Sequence, residues 1–162
     1  MIGSRAWLGG IALGGVAAVG AALVSQHFYG MQPCPWCVLQ RLIFLSISAA
    51  AVLGLVLSGL ARRVALVLLV LLTGCGAAAA LWQHFVSAQS ASCNLTLADR
   101  IVGGMQLDAR WPDIFMATAS CADAKVDLFG LPYEAWSLAL FALMGAAAVR
   151  LLLPRHAPDL QA

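Results

Sequence analysis

The chain has 162 residues, of which 62% are hydrophobic and only 10% charged, where soluble globular proteins carry roughly 25% charged residues. Water is therefore excluded as its main solvent, and a net charge of +2 without a basic cluster excludes a nucleic-acid surface. The charges are also segregated: there is no Lys, Arg, Asp or Glu between Arg5 and Arg41, from Leu42 to Ala61, from Val64 to Ala98, or from Ala135 to Val149.

A hydrocarbon core of about 30 Å takes about 20 apolar residues to cross as a helix. Four such spans are predicted, near 7–25, 38–58, 64–85 and 133–153, and all should be helices because irregular backbone cannot face lipid. The first carries Gly9, Gly10, Gly14, Gly15 and Gly20, which weaken a soluble helix but let membrane helices approach closely. Arg5 followed by an apolar run also resembles a secretory signal, but the run exceeds the usual 7 to 15 residues, so a retained helix is expected.

The loop 26–37 ends in Cys34-Pro35-Trp36-Cys37. Such a pair serves as a redox dithiol, as half of a zinc site, or as a structural staple. Pro is favoured at the first position of a helix, so Pro35 predicts Cys37 in or beside the first turn of the second span. Unpaired amides and the helix dipole there favour a thiolate. Arg41 follows four residues later on the same helical face, a permanent cation. A helix terminus and a neighbouring cation are the conditions that activate a thiol. Arg41 alone also fits an interfacial anchor that snorkels to the headgroups; its place one turn after Cys37 favours the functional reading.

In the third span, Cys75 lies among Gly and Ala, where a thiol is expected to be an inert packing residue. The loop 86–132 holds Cys93 and Cys121, and its Asn94-Leu95-Thr96 match to a glycosylation acceptor carries little weight. From Met105 to Thr118, Leu107, Trp111, Ile114, Phe115 and Met116 interleave with polar residues. That spacing suits a short amphipathic helix at the bilayer surface, broken by Pro112; packing of the same aromatics on the helix ends suits it equally. Zinc would need about four ligands in tetrahedral array. The four cysteines satisfy the count, but Cys93 and Cys121 are too far apart for a second short knuckle, and no metal is expected.

With four crossings, the termini and the link around Gly59 to Arg63 share one side. That side carries Arg5, Arg62, Arg63, Arg150 and Arg155 against Asp159, so it is expected to be cytoplasmic. The loops bearing Cys34, Cys37, Cys93 and Cys121 then face outward, where disulfides persist. The expected fold is an all-α membrane protein: one domain over 1–162, a four-transmembrane-helix bundle with a long periplasmic loop carrying a short amphipathic helix.

The run Cys34-Pro35-Trp36-Cys37-Val38-Leu39-Gln40-Arg41 closely resembles the signature of the bacterial disulfide bond formation protein B (DsbB) family. The four spans, the long second external loop with two cysteines and Leu128-Phe129-Gly130-Leu131 before the last span extend the resemblance over nearly the whole chain. It implies a disulfide-generating, quinone-dependent enzyme of the bacterial inner membrane. Such an enzyme oxidises a periplasmic thioredoxin-like, DsbA-type dithiol protein and passes the electrons to the membrane pool of ubiquinone or menaquinone. By position, it implies a Cys93/Cys121 disulfide with Cys93 as the attacked sulfur, reoxidised by Cys34/Cys37. Cys37 would face the quinone beside Arg41, and His84 falls where the family can place a quinone-side histidine. An interfacial histidine meeting headgroups is the plainer reading of His84. Trp36 departs from the aliphatic residue expected there, and Cys75 has no implied role. The alternative is a four-span scaffold with structural external disulfides. A transporter lacks support, since Glu134, near a span end, is the sole acid in any span.

Overall fold

The computed structural model describes residues 3–87, 96–124 and 126–153. Cys93, the Asn94 acceptor match and the polar end from Pro154 lie outside the described residues. Four long helices form the body: α1 (Ser4–Tyr29), α2 (Pro35–Val56), α3 (Gly59–Phe85) and α7 (Tyr133–Leu152), each long and apolar enough to cross a bilayer. Among the described residues between α3 and α7 run three short helices, α4 (Leu97–Gly104), α5 (Leu107–Arg110) and α6 (Pro112–Phe115). A two-strand hairpin of β1 (Asp127–Leu128) and β2 (Leu131–Pro132) follows.

The long helices start and stop where local chemistry dictates, so three of them outrun the predicted spans. Gly30 closes α1 in the left-handed conformation at φ 65°, its N–H reaching back to Ser25 O. Ser58 sits at the N-cap of α3, so Arg62 and Arg63 lie in the first turns of that helix instead of in a link. Pro35 opens α2 at its first turn, as its fixed φ favours.

The bundle pairs α1 with α2, α2 with α3, and α3 with α7. Its centre is a cluster in which Leu8, Ile47, Leu69, Phe141 and Ala148 are fully or almost fully buried. Phe44 and Phe141 stack with centroids 4.1 Å apart and planes 8° from parallel. Glycine permits two close approaches. A Cβ on Gly15 would collide with Ser48 Oγ and lie 2.7 Å from the Phe44 carbonyl oxygen, and one on Gly76 would collide with the Phe141 ring. Outward faces are apolar, with Leu13 and Val56 more than 70% exposed, as lipid-facing residues should be.

The two ends differ. At one, Arg62 Nη2 donates to Ser4 Oγ at 3.0 Å and Arg150 lies 5.9 Å over the Trp7 ring. At the other, α4, α5, α6 and the hairpin gather around the start of α2. The amphipathic stretch is broken at Trp111, between α5 and α6. Leu107 and Phe115 turn inward with Val102 onto Val38 of α2, while Trp111 and Met116 face outward. A capping box between Thr96 and Asp99 starts α4, a helix with no counterpart among the sequence expectations.

Candidate functional site

The start of α2 is built by its own cysteines. Cys34 is the N-cap residue, in extended conformation, and its sulfur accepts the backbone N–H of Cys37 at 3.2 Å. Serine and threonine usually play this part with oxygen; here the cap is a thiol. Cys37 is the third residue of the helix, in the first turn as predicted. The carbonyl of Pro33, the residue before Cys34, accepts the N–H groups of Thr118 (3.0 Å) and Ala119 (3.3 Å), which staples the long loop to the entry of α2.

That staple brings Cys121 to Cys34. The two thiols share a hydrogen bond, and the Cys121 sulfur also accepts the Trp36 backbone N–H. Cys34 is fully buried and Cys121 nearly so, in one cluster with Trp36, Leu39, Ala79 and Ala98. Trp36 is thus a core residue filling the space between α2, α3 and α4, its ring 6.3 Å from that of Trp82. Cys34 holds its proton tightly, because it hydrogen-bonds to Cys121 and then to Cys37, and because it is buried. Cys121 is pushed the other way, below the ordinary thiol range, chiefly by accepting the bond from Cys34.

Beyond Cys37 lies a cavity of about 240 Å³ bounded by α1, α2, α3 and α7. Its polar lining includes Cys37, Gln40, Arg41, Gln83 and Glu134. Ala18 and Ala22 of α1 and Trp136 and Leu140 of α7 contribute to its apolar lining. Arg41 is almost completely buried. Its Nη1 donates to Gln26 Oε1 at 2.8 Å and to the Ile114 carbonyl at 2.9 Å. Both acceptors are neutral; an ion pair forms nearby between His84 Nδ1 and Glu134 Oε1, at 2.9 Å. A buried cation held only by neutral dipoles is costly and strongly favours an anion arriving beside it.

Of the residues singled out in the sequence, Cys34, Cys37, Cys121 and Arg41 converge here. His84 does not line the cavity; it reaches Glu134, which does. Cys75 is exposed, not packed, because α3 buries Thr73, Gly76, Ala79 and Ala80 and turns Cys75 off that face. Sequence reasoning passed over Gln26, Gln40 and Gln83. The sequence does carry a signal for them: amides at or inside apolar spans are expensive for the same reason as charges.

A family model described as "Disulfide bond formation protein DsbB" matches residues 4–151. The chain is 35% identical over 156 residues to disulfide bond formation protein B of Dechloromonas aromatica, covering 91% of each chain. It is 34% identical over 145 residues to disulfide bond formation protein B 1 of Pseudomonas aeruginosa, covering 85% of this chain and 88% of that one. With disulfide bond formation protein B 1 of Pseudomonas savastanoi the identity is 33% over 130 residues, or 79% of this chain and 77% of that one.

Proposed function

The chain belongs to the disulfide bond formation protein B family, and from that membership we propose that its four external cysteines carry electrons from a thioredoxin-like dithiol protein to a membrane quinone. It is a multi-pass inner-membrane oxidoreductase that forms disulfides. The end bearing Arg5, Arg62, Arg63 and Arg150 is cytoplasmic and the cysteine-bearing end periplasmic, by the positive-inside rule.

The observation that carries this reading is the sulfur sequence Cys121, Cys34, Cys37, which leads to a cavity holding Arg41. A partner thiolate attacks Cys93 of a Cys93–Cys121 disulfide, and Cys121 leaves. The partner's second thiolate then displaces Cys93, so the partner departs oxidised. Cys121 attacks Cys34 of a Cys34–Cys37 disulfide and releases Cys37 as a thiolate beside Arg41. Cys93 next resolves the Cys34–Cys121 bond, restoring its own disulfide and leaving Cys34 and Cys37 reduced. Two electrons and two protons leave that pair as its disulfide re-forms, so atoms and charge balance. A bound quinone supplies the acceptor for both.

The cavity chemistry fits a quinone head: a largely apolar lining, a thiol and a cation that, among the described residues, is hydrogen-bonded to neutral acceptors. Arg41 would hold a quinone carbonyl oxygen through its N–H groups, where its charge would offset negative charge on that oxygen. His84 acts at the rim, through Glu134.

Purified protein with quinone and a reduced thioredoxin-like protein provides the test. Ser at any of Cys34, Cys37, Cys93 or Cys121 is expected to abolish turnover, while Cys75→Ser is silent. Turnover surviving Cys37→Ser or Cys93→Ser would refute the scheme.

A further inference from the structure

Two glutamines meet Cys37 from opposite helices. Gln40 of α2 and Gln83 of α3 are only 4% and 6% exposed, at a depth where an unpaired amide is expensive. Gln83 Nε2 donates to Cys37 Sγ at 3.4 Å, and Gln83 Oε1 accepts from Gln40 Nε2 at 2.8 Å. We propose that Gln40 and Gln83 form a two-link amide relay in which Gln40 fixes the rotamer of Gln83, so that a donor faces the Cys37 sulfur and holds it reactive.

The argument is one of polarity. A glutamine amide has two ends of nearly equal shape, one with two donors and one with two lone pairs. Facing a thiolate, the donor end attracts and the carbonyl end repels. Gln83 by itself has no reason to choose; Gln40, offering a donor to Oε1, decides for it. Two other donors near Cys37 point elsewhere. Its own N–H caps Cys34 Sγ, and Arg41 Nη1 is divided between Gln26 and Ile114. Gln83 is therefore a neutral donor that steadies negative charge on sulfur without adding a second ion to be desolvated. Gln40 lies three residues after Cys37, on the same helical face, and acts only through Gln83. Gln40 is a positioning residue and Gln83 touches the sulfur itself; the inference rests on reading Cys37 as a reacting sulfur.

A plainer role is also available to the pair: interhelical hydrogen bonds between membrane helices add modest stability of their own. Alkylation separates the two. Full-length protein in micelles is fully reduced, pulsed with iodoacetamide across a pH series, and the Cys37 peptide is quantified by mass spectrometry. Gln83→Met is expected to slow Cys37 alkylation about tenfold near neutral pH, the ratio for a lost hydrogen bond to a charged group worth about 1.4 kcal/mol. Its alkylation profile moves to higher pH. Gln40→Met shifts the same way, and the double variant is no slower than Gln83→Met alone, because one relay is cut twice. Should Gln83→Met fail to fold, Gln40→Met, one link removed from the sulfur, carries the test. An unmoved Cys37 profile in either variant, or single effects that multiply in the double, would overturn the relay and leave simple helix adhesion. This readout needs neither quinone nor partner, so its failure is distinct from failure of the electron-transfer scheme, which the turnover of Cys37→Ser decides.

Discussion

Cys34 and Cys121, on different loops, share a hydrogen bond at the cap of α2, while Cys34 also accepts the backbone N–H of Cys37. One buried sulfur therefore touches a prospective partner on each side, which is the geometry of a relay between two disulfides. The prediction is direct. In Cys37→Ser/Cys93→Ser protein, mild oxidation joins Cys34 to Cys121, seen as a linked peptide by mass spectrometry without reduction. Recovery of both residues as free thiols would deny the contact a role in exchange.

The same contact orders the reactivity of the reduced protein. The thiolate is the nucleophile, so a thiol whose pKa is raised reacts more slowly at a given pH and one whose pKa is lowered reacts faster. Hydrogen bonding to Cys121 and burial raise Cys34, while accepting that bond lowers Cys121. Near neutral pH, below the ordinary thiol range, Cys121 is expected to alkylate ahead of Cys34. Cys121→Ser removes the faster thiol and frees Cys34 from one of its two sulfur contacts. Timed alkylation with peptide quantification checks the order, and Cys34 reacting first would contradict it.

Arg41 predicts a split between stability and binding. Arg41→Met leaves the Gln26 and Ile114 oxygens without their donor but also removes a buried charge that has no anionic partner among the described residues. These opposing terms are each of order 1–3 kcal/mol, so the unfolding midpoint moves little. Quinone KM rises at least about tenfold, the effect of one lost charge-assisted contact. Arg41→Lys keeps the charge but not the planar fork, and falls between. KM unchanged in Arg41→Met would remove Arg41 from the binding site.

Helix approach is tested at glycine. Gly15→Ala forces a methyl against Ser48 Oγ and the Phe44 carbonyl, and overpacking of this kind costs about 1–3 kcal/mol. Gly20→Ala, on the same helix with nothing within 4 Å, changes stability by less than about 0.5 kcal/mol. Denaturation midpoints in micelles compare the pair, and equal effects would mean that α1 and α2 do not pack at Gly15 as described.

The loop helix α4 offers a test away from the membrane. Thr96→Ala removes an N-cap whose hydroxyl accepts the Asp99 N–H at 3.3 Å, at a cost of about 1 kcal/mol. Ala98 of α4 is buried beside Cys34 and Cys121, so fraying there exposes the cysteine cluster. Faster alkylation of Cys121 in Thr96→Ala is expected; a rate equal to the parent's would show that α4 does not shield it.

Much of this molecule is local information. Charge-free runs of about 20 residues force helices, because lipid offers no partner for a bare amide, and Pro35 places Cys37 in the first turn whatever the rest of the chain does. The adjacency of Cys37 and Arg41 is likewise helical arithmetic. What only the tertiary structure decided is contact between distant segments. Which sulfur faces Cys34, that Trp36 is core, that Cys75 points outward, and that Gln83 reaches across from α3 all depend on how helices rotate and how a long loop is stapled to Pro33. A span's periodicity in lipid constrains rotation weakly, since both its lipid face and its packed face are apolar. The polar amides that break this degeneracy find their partners only once the helices meet.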